Sequence, residues 1–335
     1  MVRTRAHMVA MSLHVAAPTI CITEEEALNT YYSMTLYNPA LARHISSVEV
    51  RLSHPIRHLL QKLQRILRHL SHIDTLIIQI PPISVPECRT LFGSIRFPNL
   101  ILFSGGTLPH KGIHQFLLRN PGIQTLILKR CVGRSDCSCP TVPSLNISEI
   151  SGPSTCIAPL ICGSPLLRVT ATYDRESDNH ISLFASFALL SANITYLSLD
   201  FAAIPRDFDI LKSIAAAAPF VMSLELIQKC ASGELIYPWN DAVRWANDLR
   251  SLSYLTLFSL RTSASLIERV GHKADERRLI RRWSGDAMQF PPQLRAIDLW
   301  YRLYRKSEPG LASFWKRGRL GWQRASSTAI SYRTL

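Results

Sequence analysis

One short apolar pattern recurs ten times along the 335 residues, and it constrains the fold more than any other feature. The pattern is apolar-x-x-apolar-x-apolar, and its second half reads as a strand with alternating faces. It occurs as Ile45/Val48/Val50, Ile73/Leu76/Ile78, Phe97/Leu100/Leu102, Ile123/Leu126/Leu128 and Val142/Leu145/Ile147. It continues as Leu166/Val169/Ala171, Ile194/Leu197/Leu199, Val221/Leu224/Leu226, Leu252/Leu255/Leu257 and Leu294/Ile297/Leu299. Successive starts lie 19 to 31 residues apart, except for the last interval of 42, which holds an insertion. A unit this short cannot bury its own apolar face; stacking on its neighbours does so.

The segments between these strands read as helices. In 55–71, Ile56, Leu59, Leu60, Leu63, Ile66, Leu67 and Leu70 form one apolar stripe, with Pro55 suited to the first turn. Arg57, His58, Lys62, Arg65, Arg68 and His69 take the opposite face. Further helices are expected near 86–95, 111–119, 206–218 and 240–250. Strand–helix alternation at this period predicts an α/β leucine-rich-repeat solenoid: one curved parallel sheet on the concave side and helices on the convex side. Ile123-Gln-Thr-Leu126-Ile-Leu128-Lys-Arg-Cys131 fits the full L-x-x-L-x-L-x-x-N/C signature, whereas the other repeats are degenerate. The expected organisation is an irregular segment 1–41, the solenoid 42–300 and a basic tail 301–335. A doubly wound enzyme would need longer crossovers and a Gly-rich phosphate turn after an early strand, and the sequence offers neither.

The stretch Leu36-Tyr-Asn-Pro-Ala-Leu-Ala-Arg-His-Ile-Ser-Ser-Val-Glu-Val-Arg-Leu52, the helix running to Leu70 and the His72-Ile-Asp-Thr-Leu76 strand entry resemble the leucine-rich-repeat region of fungal F-box-type proteins. The resemblance covers about residues 30–300. It implies a partner-binding solenoid, in its specific form a substrate receptor of an SCF-type ubiquitin ligase. Complete members recruit the ligase adaptor through an N-terminal F-box. Here no Leu-Pro-x-Glu-like opening and no paired short helices precede residue 30, so the expectation is a receptor half or relic without that box.

Charge is unevenly placed. The chain carries a formal charge of +14; residues 261–335 hold 16 basic and 6 acidic residues, and the rest holds 22 and 18. This basic quarter gives the alternative function, binding of nucleic acid or another anionic surface. Arg277, Arg278, Arg281 and Arg282 on a cationic amphipathic segment, and Lys316, Arg317 and Arg319 beyond it, are the candidate contacts. No nucleic-acid-binding motif accompanies them, so nucleic acid ranks below a protein partner. Eight cysteines at irregular spacing do not form a disulfide framework, and the chain reads as intracellular, cytoplasmic or nuclear. Cys131, Cys137, Cys139, Cys156 and Cys162 cluster in sequence without paired C-x-x-C spacing, so no metal site is expected. No run of 18 apolar residues exists to form a transmembrane helix.

Catalytic constellations are missing. There is no G-x-S-x-G elbow, Walker loop or H-E-x-x-H pair, so no enzyme activity, catalytic residue or cofactor is expected. The expected partner surface is the concave face, where Ile77, Ile101 and Ile127 should stack side by side, flanked by Phe103 and Lys129. A protein partner is expected there.

Overall fold

The computed structural model describes residues 19–54, 57–129, 145–161, 163–172, 181–187, 194–202, 209–229, 237–264, 266, 273–284, 293–301, 311–319 and 321–325. The chain divides into two compact units, Met1–Gly133 and Arg134–Leu335. Among the described residues no helix is long and apolar enough to cross a membrane.

The first unit runs β1 (Thr19–Ile22), α1 (Glu25–Tyr37), α2 (Pro39–Ala42), β2 (Ser47–Arg51), α3 (Leu60–His69), β3 (Thr75–Gln79), α4 (Val85–Phe92), β4 (Leu102–Gly106), α5 (His110–Arg119) and β5 (Thr125–Leu128). Its five strands are parallel and lie side by side in chain order. Val48, Val50, Leu76, Ile78, Phe103, Leu126 and Leu128 point to one face and are buried. That face meets the helices: the Phe103 ring lies 5.9 Å from Phe92 of α4 and 4.9 Å from Phe116 of α5. The alternate residues form an open face. The segment expected to be irregular, 1–41, holds β1 and α1, and Ile20 and Ile22 pair with Val48 and Val50 as one more strand of the same kind. Before Ile20 and Ile22 the spacing offers only the small Ala17, so the pattern is weakly marked there.

The helices form for ordinary local reasons. Helix α3 buries Leu60, Leu63, Ile66 and Leu67, one stripe at helical spacing. Each such side chain contributes roughly 1.5–3 kcal/mol of burial. Helix α4 opens on a capping box, in which the Ser84 hydroxyl accepts from the Glu87 amide and the Glu87 carboxylate accepts from the Ser84 amide. Those Ser84 bonds hold the Glu87 carboxyl below its ordinary range. Helices α4 and α5 pack so closely that a Cβ at Gly112 would meet Cys88 Cβ at 2.6 Å.

The second unit runs β6 (Glu149–Pro153), α6 (Ser154–Ile157), β7 (Arg168–Thr172), α7 (Ile181–Phe187), β8 (Tyr196–Phe201), α8 (Ile210–Ala217), β9 (Ser223–Gln228), α9 (Ala242–Ser251), β10 (Leu257–Thr262), α10 (Lys273–Ser284), β11 (Ala296–Tyr301), β12 (Leu311–Gly318) and β13 (Gly321–Arg324). Strands β6 to β11 are parallel in chain order; β12 and β13 are antiparallel additions. Val169, Leu197, Leu224, Phe258 and Ile297 form one buried row. The stretch expected as a basic tail, 301–335, therefore contains a hairpin that completes the sheet, and it buries Trp315 and Trp322.

A backbone rung repeats within each unit. The carbonyl of the residue just before a strand accepts from two successive amides of the next repeat. Ser46 bonds Asp74 and Thr75, Asp74 bonds Ile101 and Leu102, and Ile101 bonds Gln124 and Thr125, all at 2.8–3.2 Å. In the second unit Ser148, Leu167, Thr195, Met222 and Thr256 do the same at 2.8–3.1 Å. These rungs satisfy backbone groups that the ladder itself leaves over.

The rungs and registers correct three repeats. Leu76 pairs with Phe103, and Phe103 with Leu126, so the third sequence repeat is Leu100/Phe103/Gly105 and not Phe97/Leu100/Leu102. Ile150 pairs with Val169, which moves Val142/Leu145/Ile147 to Ile147/Ile150/Gly152. Phe258 pairs with Leu224 and Ile297, which moves Leu252/Leu255/Leu257 to Leu255/Phe258/Leu260.

Candidate functional site

In the first unit the expected isoleucine row is broken. Ile77 and Ile127 stand half-buried on the open face, but Ser104 sits between them in register. Ile101 lies one step before β4; it is 47% exposed and serves as a rung residue. Phe103 is 0% exposed on the helix face, within a ring cluster of Phe92, Phe97 and Phe116. It corrects the expectation of an open-face contact: the three-residue slip in frame, an odd number, reversed its side. Lys129 is exposed just after β5, and its amide donates to the Gly106 carbonyl at 2.9 Å.

Lys129 also lines a recess of about 480 Å³ with Arg51, Gln79, Pro81, Gly106 and Thr107. The Thr107 hydroxyl is committed to the Ile80 carbonyl at 2.8 Å, and Arg51 to the Glu49 carboxylate. Gly106 has a φ of +52°, and a Cβ there would meet the Ile78 carbonyl oxygen at 2.5 Å, so glycine is required at that wall. Two of the polar side chains of this recess, Thr107 and Arg51, are thus already engaged.

The open face of the second unit is different. Glu225 of β9 accepts from the Tyr196 hydroxyl at 3.1 Å and the Ser198 hydroxyl at 3.0 Å. Arg261 of β10 pairs with its other oxygen at 2.8 Å. The Arg168 guanidinium lies over the Tyr196 ring, 4.3 Å from its centre, and 3.7 Å from Glu149. Asp200 pairs with Lys229 at 3.1 Å. The Ser259 hydroxyl lies 3.4 Å from Asp298. Trp300, 39% exposed, stands beside Arg261 in register.

This is a braced polar surface spanning β7 to β11. The side chains of Glu225 and Arg261 are 13% and 23% exposed, so their pairing operates largely out of water. The hydrogen bonds from the Tyr196 and Ser198 hydroxyls to the Glu225 carboxylate are charge-assisted and worth roughly 1.5–3 kcal/mol each, whereas Arg261 meets Glu225 as an ion pair without hydrogen-bond geometry. Both carboxylate oxygens of Glu225 are occupied, which suits it to hold Tyr196 and Arg261 in fixed positions. Among the described residues no three His, Cys, Asp or Glu side chains gather to hold a metal ion. Cys131, Cys137, Cys139 and Cys162 lie outside the described residues; Cys156 is buried.

The predicted cations separate. Arg277, Arg278, Arg281 and Arg282 are all exposed on α10. Lys316 is exposed and pairs in register with Ala296, which puts it on the open face of the sheet; Arg317 lies on the helix side with Trp315. Arg319 is exposed in the turn before β13. Beneath α10, Glu276 is 1% exposed. It accepts from the Tyr301 hydroxyl and from Trp315 Nε1, the latter at 3.1 Å, and lies 3.8 Å from Arg324 Nε. Trp322 Nε1 donates to the Ser284 hydroxyl at 3.0 Å. The cationic segment is therefore the helix that clamps the final hairpin, with Ile280 and Trp283 fully buried.

The repeat spacing itself sets Ser198, Glu225, Asp298 and Trp300 on the open face; Arg261 escapes it, because the overlapping β10 frame centres on Thr256 where the register centres on Ser259. No protein-family model matches the chain, and no curated protein matches its sequence.

Proposed function

We propose that the chain is a non-enzymatic leucine-rich-repeat interaction module, and that the open face of its second unit binds a protein partner. One observation carries this reading. Tyr196, Arg261 and Trp300 stand on three strands of one open face, and Glu225 braces the first two. Tyrosine, arginine and tryptophan are the residue types that dominate interface hot spots. Side chains already held in place lose little freedom on binding. The repeat spacing and the strand order support the leucine-rich-repeat assignment. The resemblance to fungal F-box-type proteins supports a specific form: a substrate receptor of an SCF-type ubiquitin ligase, or a relic without the F-box, working inside the cell.

The test is capture of partners by the tagged full chain, followed by their identification. Trp300→Ala and Arg261→Ala should each reduce capture of a specific protein by about 30-fold or more, the scale of a 2 kcal/mol hot spot. Arg68→Ala on α3 should leave capture unchanged. Equal capture by all four proteins would overturn the assignment of this face. Recovery of ligase adaptor subunits supports the specific form, and their absence removes it.

A further inference from the structure

We infer that the outer arc of α10 binds nucleic acid through its phosphate backbone, without reading sequence. This surface is separate from the protein-binding face proposed above. Arg277/Arg281 and Arg278/Arg282 form two i,i+4 pairs along α10, all four exposed. The rise of an α-helix sets each pair about 6 Å apart along the axis. The inner arc is Glu276, Ile280, Trp283 and Ser284, all buried. No described residue forms an ion pair with any of the four guanidiniums, and the neighbouring Glu276 is turned inward to Tyr301, Trp315 and Arg324.

Local stability does not account for these residues. Like charges at i,i+4 destabilise a helix by a few tenths of a kcal/mol per pair. Arg281 and Arg282 suit the negative end of the helix dipole, but Arg277 and Arg278 lie too far from that end to gain from it. A second cationic helix shows the alternative. On α3, Lys62 donates to Asn29 and Arg65 to Tyr32, each at 2.7 Å, and in the turn just before it Arg57 pairs with Glu87 at 3.1 Å. Those cations tie helices together. None of the α10 arginine side chains forms an ion pair or hydrogen bond with a described residue; Arg277 alone touches a neighbour, lying over the Trp315 ring at 6.0 Å from its centre.

The missing apolar surface selects the partner. Protein interfaces centre on a patch depleted in charge and enriched in apolar and aromatic side chains. A membrane-surface helix needs an apolar face to insert. The large apolar side chains of α10 are committed to the core: Ile280 and Trp283 are 0% exposed, as is the nearby Trp315 ring, and Leu279 alone is half-buried. Charge without apolar contact is the normal condition of phosphate-backbone binding, in which neutralised phosphates release counterions. Arginine further suits it, because its planar fork grips phosphate oxygens bidentately. With no exposed aromatic on the arc to stack on bases, the contact is to the backbone alone.

The experiment is titration of the full chain into a fluorescent 20-base-pair duplex at increasing KCl, with circular dichroism to confirm folding. Replacing all four arginines by glutamine should flatten the log–log salt slope by about 3 to 4, one contact being worth about 0.9. Replacing all four by lysine should preserve the slope. A glutamine variant of Lys62 and Arg65 on α3 should also preserve it. Absence of duplex binding by the unmodified chain, or an unchanged slope in the folded glutamine variant, would overturn the inference. So would tighter binding to polyglutamate or to phosphatidylserine vesicles than to the duplex at equal salt.

Discussion

Helices α3 and α10 have the same outline, with cations outward and large side chains inward, yet they are fastened in opposite ways. The inner stripe of α3 is wholly apolar: Leu60, Leu63, Ile66 and Leu67. Its outer cations reach sideways, with Lys62 and Arg65 meeting Asn29 and Tyr32 of α1, and just before the helix the His58 ring meets Glu25 of α1. The inner arc of α10 instead carries a buried carboxylate and a hydroxyl that grip the closing hairpin, and its outer arginines form no ion pair with a described residue, Arg277 alone lying over the Trp315 ring. A basic helix face is therefore not one kind of object. Where neighbours supply acceptors, the charge is structural; where the fastening lies inside, the charge remains available.

The comparison is sharpened first at the core. Trp283 is fully buried against Trp245 and Phe258, at ring distances of 6.0 and 6.3 Å. Trp283→Ala should lower the unfolding free energy by about 3–5 kcal/mol, and Leu63→Ala on α3 by about 2–5 kcal/mol, measured in urea. These losses show that both helices depend on packing inside.

The next effect belongs to α10 alone. Glu276→Leu strands the Tyr301 hydroxyl, Trp315 Nε1 and Arg324, and should destabilise by about 3 kcal/mol. Proteolysis within 311–324 should accelerate in this variant and not in Leu63→Ala. A pH signature accompanies it. Burial, and then the Glu276 carboxylate, raise the Tyr301 phenol above its ordinary pKa of 10.0. The folded chain keeps a proton that the unfolded chain releases, so this stabilisation is complete below pH 10.0 and declines as pH rises beyond it. The decline approaches about 1.4 kcal/mol per pH unit. Tyr301→Phe should remove that part of the alkaline slope; an identical slope in both proteins would refute the clamp.

The smallest effects lie outside. Alanine at Lys62 and Arg65 should cost about 0.2–1 kcal/mol in all, as exposed polar pairs do. The fourfold glutamine variant of α10 should change stability by less than about 0.5 kcal/mol. A larger loss would mean that these arginines are structural after all, and the contrast between the helices would collapse.

Much of the fold was legible because rows such as Leu76, Leu126, Leu197, Leu224 and Ile297 recur with little competition from neighbouring positions. Register failed where two frames overlapped. Phe97, Leu100 and Phe103 are all buried, so the spacing fits twice, and the true frame ends on Gly105, which does not read as apolar. At β10 both Leu252/Leu255/Leu257 and Leu255/Phe258/Leu260 satisfy the pattern. The pattern records burial, and the chain entering a strand is buried too. The open-face network was half legible for the same reason: Glu225 and Trp300 stood in correctly framed strands, whereas Arg261 belonged to the misframed β10. The clamp around Glu276 left no periodic trace, since a carboxylate on a helix next to arginines looks like an ordinary surface pair until its rotamer is known.

The carbonyl rungs have a wider consequence for how such a chain can change. Each rung asks for one acceptor before a strand and two amides in the next, and it is indifferent to the length of the path between them. The structure is indexed by hydrogen bonds and not by residue count, so loops between helix and strand can lengthen or shorten while the sheet keeps step. That tolerance explains how irregular spacing coexists with regular pairing, and it marks the helix-to-strand connections as the places where new segments can be spliced in without disturbing the faces on either side.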